Sequence, residues 1–340
     1  MLKERDLIEW IRGQRQQIPQ RLVQGIGDDC AVLDSSSLRR MCVSTDSLVE
    51  GTHFRRRWSS PYCIGRKALA VSLSDLAAMG SRPIACLLSL TLPSDLPDGF
   101  AQALLKGFLE GCGRWNCPLA GGNLASGSLQ VTVTVWGEVE KGEPLLRSSA
   151  LPGELLAVAG EVGLSRKGLQ ILRREDPCLE GLESDLQLMS WAKDPHRALA
   201  LVAHLMPSPL TAAGGWLQQC PVPSAMIDVS DGLASDLMQL LRASGLRAVL
   251  ETGSDSALAS RSRRLGIPLE DLLNGGEDYA LLFSLSKRRR NRLESNFPAF
   301  FPPCGIIGRL EEGEPAVILE GEGARRRFEA QEFEHFRGDS

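Results

Sequence analysis

Residues 225–245 read AMIDVSDGLASDLMQLLRASG. Ala225 to Val229 form a short apolar run broken only by Asp228, the signature of a buried strand. Asp228-Val229-Ser230-Asp231-Gly232 then makes a sharp acidic turn. Leu233, Leu237, Leu240 and Leu241 follow at helical spacing until Gly245 supplies a stop. A strand, a turn and a helix in immediate succession is one α/β unit.

The pattern extends in both directions. Toward the C-terminus, RAVLE (247–251) reads as a strand and NGGEDYALLF (274–283) as a turn entering a strand. CGIIGRL (304–310) and PAVILE (315–320) complete a sheet edge. Toward the N-terminus, residues 195–206 and 210–219 have helical spacing, and 175–190 read as a flexible excursion. ELLAVAG (154–160) is a strand feeding the helix start GLSRKGLQILRRE (163–175). LPGE (151–154) is a turn signal and marks a boundary between an N-terminal domain, 1–150, and a C-terminal domain, 151–340.

The N-terminal half alternates in the same way. Residues 2–12 suggest an amphipathic helix. GIGDDCAVLD (25–34) and RMCVSTDSLVEGTHF (40–54) each join an apolar, strand-like run to acidic and small residues. Residues 61–79 are helical, from Pro61 to a stop at Gly80. Residues 84–93 read as a buried strand, 98–113 as a helix, and LAGGNLASG (119–127) as a glycine loop. LQVTVTVWGEV (129–139) alternates cleanly as a strand. The expected class is α/β (α+β) in two domains.

Composition sets the outer limits. The chain has 340 residues, 43% hydrophobic and 24% charged, which suits a globular protein of about two domains. A net charge of −4 argues against a nucleic-acid partner, so the arginine runs at 55–57, 288–290 and 325–327 read as solvated faces. No apolar run reaches the length of a membrane span, and the charged N-terminus has no signal-peptide core, so a cytoplasmic protein is expected. Nine cysteines without a CxxC pair, and only four histidines, fit small core residues in a reducing cell better than a zinc site.

The usual phosphate and hydrolase motifs are missing. There is no GxxxxGK[ST] and no GxSxG, and GIGDDC has Cys30 where GxGxxG needs glycine. One device recurs instead. Asp28-Asp29, Ser44-Thr45-Asp46, Asp75, Asp228-Val229-Ser230-Asp231 and Glu277-Asp278 adjoin apolar strands or lie inside an apolar helix. Hard oxygen ligands spread over several elements are what Mg²⁺ takes, with substrate phosphates completing its shell. Phosphoryl transfer needs such cations and little covalent work from the protein.

Each residue also has a plainer use. Asp28 and Asp29 can form a turn, Asp46 can end one, and Asp231 can cap the helix that follows it. Asp75 resists this, because a carboxylate against Val71, Ser72, Ala78 and Met79 is costly unless paired or metal-bound; an ion pair with Arg66 or Arg82 is the alternative. Gly121-Gly122 permits close backbone approach by a nucleotide. His53 is either a surface histidine or a contact to an anionic substrate. Glu277 either binds a cationic substrate or forms the turn before ALLF.

Seven segments stand in the order of a known family: IGDDCAVLD, VSTDSLVEGTHF, KALAVSLSDLAAMG, LAGG, LLRSSALPGE, IDVSDGLASDL and NGGEDYALLF. From about residue 24 to the FEHF close, the chain resembles the thiamine-phosphate kinases, within the ATP-binding superfamily of aminoimidazole ribonucleotide synthetase. The resemblance implies a two-domain fold whose N-terminal sheet pairs in a homodimer. It implies direct transfer of the γ-phosphoryl of ATP to thiamine phosphate, giving thiamine diphosphate, with several Mg²⁺ ions as cofactors. The family's metal ligands fall on Asp29, Ser44, Thr45, Asp46, Asp75, Asp228 and Asp231, and on Asn123, where the family has aspartate. Asp75 and Asp46 carry the metal-assisted catalysis, with no general base. Nucleotide contacts fall on Gly121, Gly122, Arg147 and Ser230. Substrate contacts fall on His53, Glu277 and Phe333, the last stacking on the thiamine rings.

The chain departs from that pattern after the glycines. Asn123-Leu124-Ala125-Ser126 replaces the family's Asp-Thr-Thr-Arg, and Pro209-Leu210 replaces a Pro-Arg. An amide ligates Mg²⁺ without supplying negative charge. Two readings follow: a working kinase with a relaxed metal site, or a descendant that binds nucleotide or thiamine phosphate without efficient turnover. Another enzyme of the superfamily is a third.

Overall fold

The computed structural model describes residues 22–36, 39–179, 181–182 and 184–331. The helix expected over 2–12, and Phe333, lie outside them. Two sheets organise the chain. The first holds β1 (Leu22–Gln24), β2 (Ala31–Ser36), β3 (Arg39–Val49), β4 (Arg82–Leu92), β5 (Leu119–Ser126) and β6 (Gln130–Val139), in the order β1-β2-β3-β6-β4-β5. All its pairings are antiparallel except β4 with β5. In β6, Val131, Val133, Val135 and Val139 are buried while their neighbours are partly exposed, as a period of two requires.

Helix α1 (Pro61–Ala78) lies on this sheet, and α2 (Phe100–Arg114) packs on α1. Ser60 caps α1 by accepting from the Cys63 amide at 3.2 Å, and Pro61 occupies a first-turn position where no donor is lost. Every α1 residue except Pro61 and Asp75 is buried. Such a helix has neighbours all round, which is why its sequence shows little amphipathic contrast.

The second sheet holds β7 (Leu155–Ala159), β8 (Ala225–Val229), β9 (Leu246–Glu251), β10 (Ala280–Leu285), β11 (Cys304–Glu312), β12 (Val317–Gly321) and β13 (Ala324–Phe328), in the order β13-β12-β9-β11-β7-β10-β8. Its helices include α3 (Leu164–Glu175), α4 (Asp185–Ala192), α5 (Pro195–Leu205), α6 (Thr211–Gln219) and α7 (Leu233–Ser244). Helix α1 also touches α6 and β8, so it joins the two sheets. Contact with α6 is close: a Cβ at Gly214 would stand 2.1 Å from the Ala77 carbonyl oxygen.

Three expectations need correction. LAGGNLASG is not a loop. Leu119–Ser126 pairs in parallel with β4, and Gly122 sits so near the Leu88 carbonyl that a Cβ would come within 1.9 Å. The glycines fit a close strand contact, which composition alone reads as a turn. CGIIGRL is no sheet edge, because β11 lies between β9 and β7; the edge is Ala324–Phe328, whose arginines looked like a solvated run. Here Arg325 pairs with Glu320 at 2.6 Å, so a charged edge strand is held by ion pairs. Residues 175–190 are not wholly irregular. Ser184 caps α4, and Leu188 and Ala192 are buried.

Candidate active site

Four elements converge here. Asp29 comes from the turn before β2, Ser44 and Asp46 from one face of β3, Asp75 from α1 and Asp228 from the end of β8. Carboxylate oxygens of Asp29, Asp75 and Asp228 all lie within 4.8 Å of one another. The Ser44 hydroxyl donates to Asp75, and Ser74 donates to Asp228 at 2.6 Å. Ser74 and Asp75 sit on adjacent α1 positions, so the helix braces one carboxylate and contributes the next.

Such crowding is electrostatically costly. Burial, then the charges of Asp46, Asp228 and Asp29, pushes the Asp75 carboxyl well above the usual carboxylate range. Burial, then Asp29, does the same to Asp228. Burial also raises Asp46, against hydrogen bonds from Ser72 and Asp75. Packed carboxylates whose ionised forms are this unfavourable are relieved by a cation, and an all-oxygen donor set suits Mg²⁺. The residues present therefore fit the implied metal.

Arg147 is a cation bound directly into the cluster. Its guanidinium donates to Asp29 at 2.7 and 3.1 Å and to Gln239 at 2.7 Å. Asp28 takes the turn-forming role: its carboxylate accepts from the Asp29 amide at 3.0 Å and the Arg147 amide at 3.1 Å. Asp75 makes no ion pair with Arg82, which pairs with Glu138 and Glu140 instead.

The DVSDG turn differs from expectation in one respect. Gly232, not Asp231, is the N-cap of α7, and it has no side-chain cap bond. Asp236, one turn into the helix, accepts from the amides of Ser230, Asp231 and Gly232 at 3.0, 3.0 and 3.1 Å. Those three donors are thus engaged within the protein. Ser230 and Asp231 still line a cavity of about 950 Å³ that also reaches Asp46, Asp75 and Asp228.

The same cavity reaches His53, His204 and Glu277, together with Arg55, Trp58, Arg166 and Arg173. His53 Nδ1 accepts from the Val49 amide at 3.0 Å, which leaves the ring proton on Nε2. Arg55 stacks over Trp58 at 4.7 Å, so part of the 55–57 run borders the cavity and is not simply solvated. Glu277 pairs with the buried Lys67 at 2.6 Å and faces His204 Nδ1 at 3.1 Å. Burial alone would raise the Glu277 carboxyl, but Lys67 and His204 outweigh it and hold the pKa below its ordinary value.

Some sites implied by the resemblance lie elsewhere. The Thr45 hydroxyl points to the other face of β3, bonding the Val133 carbonyl at 3.2 Å and the Thr134 hydroxyl at 3.0 Å. Gly121, Gly122 and Asn123 stand on the edge strand β5, with β4 and β6 between them and β3. Lys67, His204, Asp236 and Gln239 were not singled out from sequence. Asp236 had a signal, a first-turn carboxylate after DVSDG; the others had none.

This geometry has close relatives. The model of the AIR synthase related protein, N-terminal domain, matches residues 27–139, the stretch that builds β2 to β6. Thiamine-monophosphate kinase of Mycobacterium tuberculosis (strain H37Rv) is 35% identical over 92% of this chain and 86% of its own length. That of Bacillus subtilis (strain 168) is 34% identical, covering 92% and 93%. The solved structure of AaThiL complexed with AMPPCP and TMP superposes with a TM-score of 0.77 at 29% identity, over 98% of this chain and 97% of that one. Near-complete coverage at this identity, on top of the clustered acidic residues, means that the chain belongs to the thiamine-monophosphate kinase family.

Proposed function

We propose that this protein transfers the γ-phosphoryl group of ATP directly to the phosphate of thiamine phosphate, giving thiamine diphosphate. The observation that carries this is the Asp29–Asp75–Asp228 cluster, of which Asp75 and Asp228 line the same cavity as His53 and Glu277. The relatives named as kinases of thiamine phosphate, and AaThiL with its nucleotide analogue and TMP, support the two substrates.

Asp29, Asp46, Asp75 and Asp228 would hold Mg²⁺, with Asp231 reaching it from the cavity wall. Bound Mg²⁺ neutralises the phosphates and orients them for in-line displacement. Ser44 and Ser74 fix Asp75 and Asp228, so the cluster is shaped before substrate arrives. His53 presents its Nε2 proton to the acceptor phosphate. That phosphate oxygen is already ionised at neutral pH and needs no general base. Arg147 orients Asp29 and offers its charge near the nucleotide, and Ser230 contacts it from the cavity wall. Glu277 meets the ring end of the substrate, and Phe333 stacks on it.

Two further parts of the reading concern assembly. Residues 1–150 form the ATP- and metal-binding domain and 151–340 the second domain. The protein acts as a homodimer, because β5 is exposed along its whole length and carries Leu124 at 73% exposure. A second copy covering that edge would pack against Gly121, Gly122 and Asn123. Nine free cysteines and the use of ATP suit the cytoplasm.

The test is to incubate the protein with ATP, Mg²⁺ and thiamine phosphate and to quantify thiamine diphosphate, with Asn123→Asp and Asp75→Ala beside it. Product from the parent establishes the kinase. Asp75→Ala should lose on the order of a hundredfold or more in turnover. Product from Asn123→Asp alone would identify a binding protein descended from the kinase. Folded but silent parent and Asn123→Asp proteins would overturn the assignment of substrate.

A further inference from the structure

Helix α1 places Lys67, Val71, Ser74, Asp75 and Ala78 on one stripe, at the i, i+4, i+7, i+8 and i+11 spacing of a single face. Asp75 and Ser74 serve the carboxylate cluster. Lys67 stands about 12 Å further back along the axis, at 1.5 Å per residue. It is one of the least exposed charged residues of the protein, at 3%. No step of the proposed transfer uses it.

We infer that Lys67 is a positioning residue for recognition of the substrate's ring end: it holds the Glu277 carboxylate in one orientation, so that Glu277 receives a hydrogen-bond donor on the ring system of thiamine phosphate. This rests on thiamine phosphate being the acceptor.

Five observations support it. Lys67 Nζ lies 2.6 Å from Glu277 Oε1, and its own side chain is 4% exposed while that of Glu277 is 26% exposed. The carboxylate is therefore anchored from behind and open in front. Its second oxygen faces His204 Nδ1 at 3.1 Å, and His204 Nδ1 in turn lies 3.0 Å from the Ser165 hydroxyl. The backbone is fixed as well. Glu277 and Tyr279 both hold left-handed φ values, 63° and 50°, which non-glycine residues adopt only when their surroundings impose it. The Glu277 amide donates to the Ser230 carbonyl at 2.7 Å and the Tyr279 amide to the Val229 carbonyl at 2.8 Å. Between them, the Asp278 carboxylate accepts from the amides of Gly163 and Ser165 at 2.6 and 3.0 Å.

With the backbone pinned, the remaining freedom of Glu277 is its side-chain rotamer, and Lys67 selects it. The pair also cancels its own charge. Glu277 then discriminates by a directed hydrogen bond to an amino-substituted ring, not by attraction to any cation. The cavity walls carry charges of both signs, Arg55, Arg166 and Arg173 beside Asp46, Asp75, Asp228 and Asp231, so attraction to a cation would not by itself single out the Glu277 end.

The experiment uses the full chain. Lys67→Met, Glu277→Gln and the double variant are compared with the parent, by calorimetric binding of thiamine phosphate and by steady-state kinetics. Lys67→Met should raise Kd and KM for thiamine phosphate by about tenfold while KM for ATP stays within about twofold, and kcat should change less than KM. In the Glu277→Gln background, Lys67→Met should add no further loss. The double variant buries two neutral side chains of similar size, so it remains informative if Lys67→Met alone fails to fold. Unchanged Kd in Lys67→Met, an equal fall in every parameter, or additive losses in the double variant would each overturn the inference alone. A parent that neither binds nor phosphorylates thiamine phosphate would overturn the functional reading, and this inference with it.

Discussion

At the scale of single residues, the structure separates carboxylates by what surrounds them. Asp75 was legible because a carboxylate midway along an apolar helix is expensive without a partner. His204 was not, since nothing in LVAHLMP marks it, yet it is buried against Lys67 and Glu277. Burial, then Lys67, holds its pKa down to about 4, against an ordinary 6.5. The unfolded chain takes up this proton as pH falls through 6.5, and the folded chain resists until about 4, so stability is lost across that window. The loss attributable to His204 should be about 2 kcal/mol by about pH 5. Urea unfolding of the parent and His204→Gln at about pH 7.5 and about pH 5 checks it. The parent's advantage should shrink at the lower pH, and parallel behaviour would show that His204 is not held neutral.

At the scale of elements, α1 does the most. Its start was legible in Pro61 and its stop in Gly80, because helix-start and chain-reversal rules are local. What it packs against was not, because contact with α6 depends on Gly214, a long way along the chain. Gly214→Ala would press a Cβ to within 2.1 Å of the Ala77 carbonyl oxygen. The two helices would have to separate, carrying Asp75 with them. We expect about 2 kcal/mol of destabilisation and a lower kcat. Gly215→Ala, whose Cβ would meet nothing within 4 Å, should be neutral or slightly stabilising. Denaturation midpoints of the two variants decide the matter: equal midpoints would mean that the α1–α6 contact is not tight. The strand β5 shows the opposite kind of illegibility. Glycine-rich LAGGNLASG carries every local sign of a loop, and only its ladder with β4 makes it a strand.

At the scale of the whole molecule, the proposed dimer would use the exposed edge of β5. An edge strand with one side unpaired, carrying Leu119 and Leu124 beside the half-exposed Leu87, is a surface that folded proteins normally cover. Leu124→Lys should yield a folded monomer by sedimentation, with the far-ultraviolet spectrum of the parent and little kinase activity. A parent that is itself monomeric and active would remove the dimer from the mechanism.

The sequence by itself determined the alternation of strands and helices and the identity of the acidic turns. These follow from periodicity, turn chemistry and the cost of burying charge, all of which act over a few residues. Its ordered motifs also carried the resemblance to the kinase family. Only the tertiary structure decided that Asp29, Asp75 and Asp228 meet while Asn123 stands apart, that Asp236 engages the turn amides, and that Lys67 lies behind Glu277. Such pairings join residues far apart in the chain, and their energies exist only once helix α1 is clamped between the two sheets. Local propensity cannot encode a contact whose partner arrives through packing.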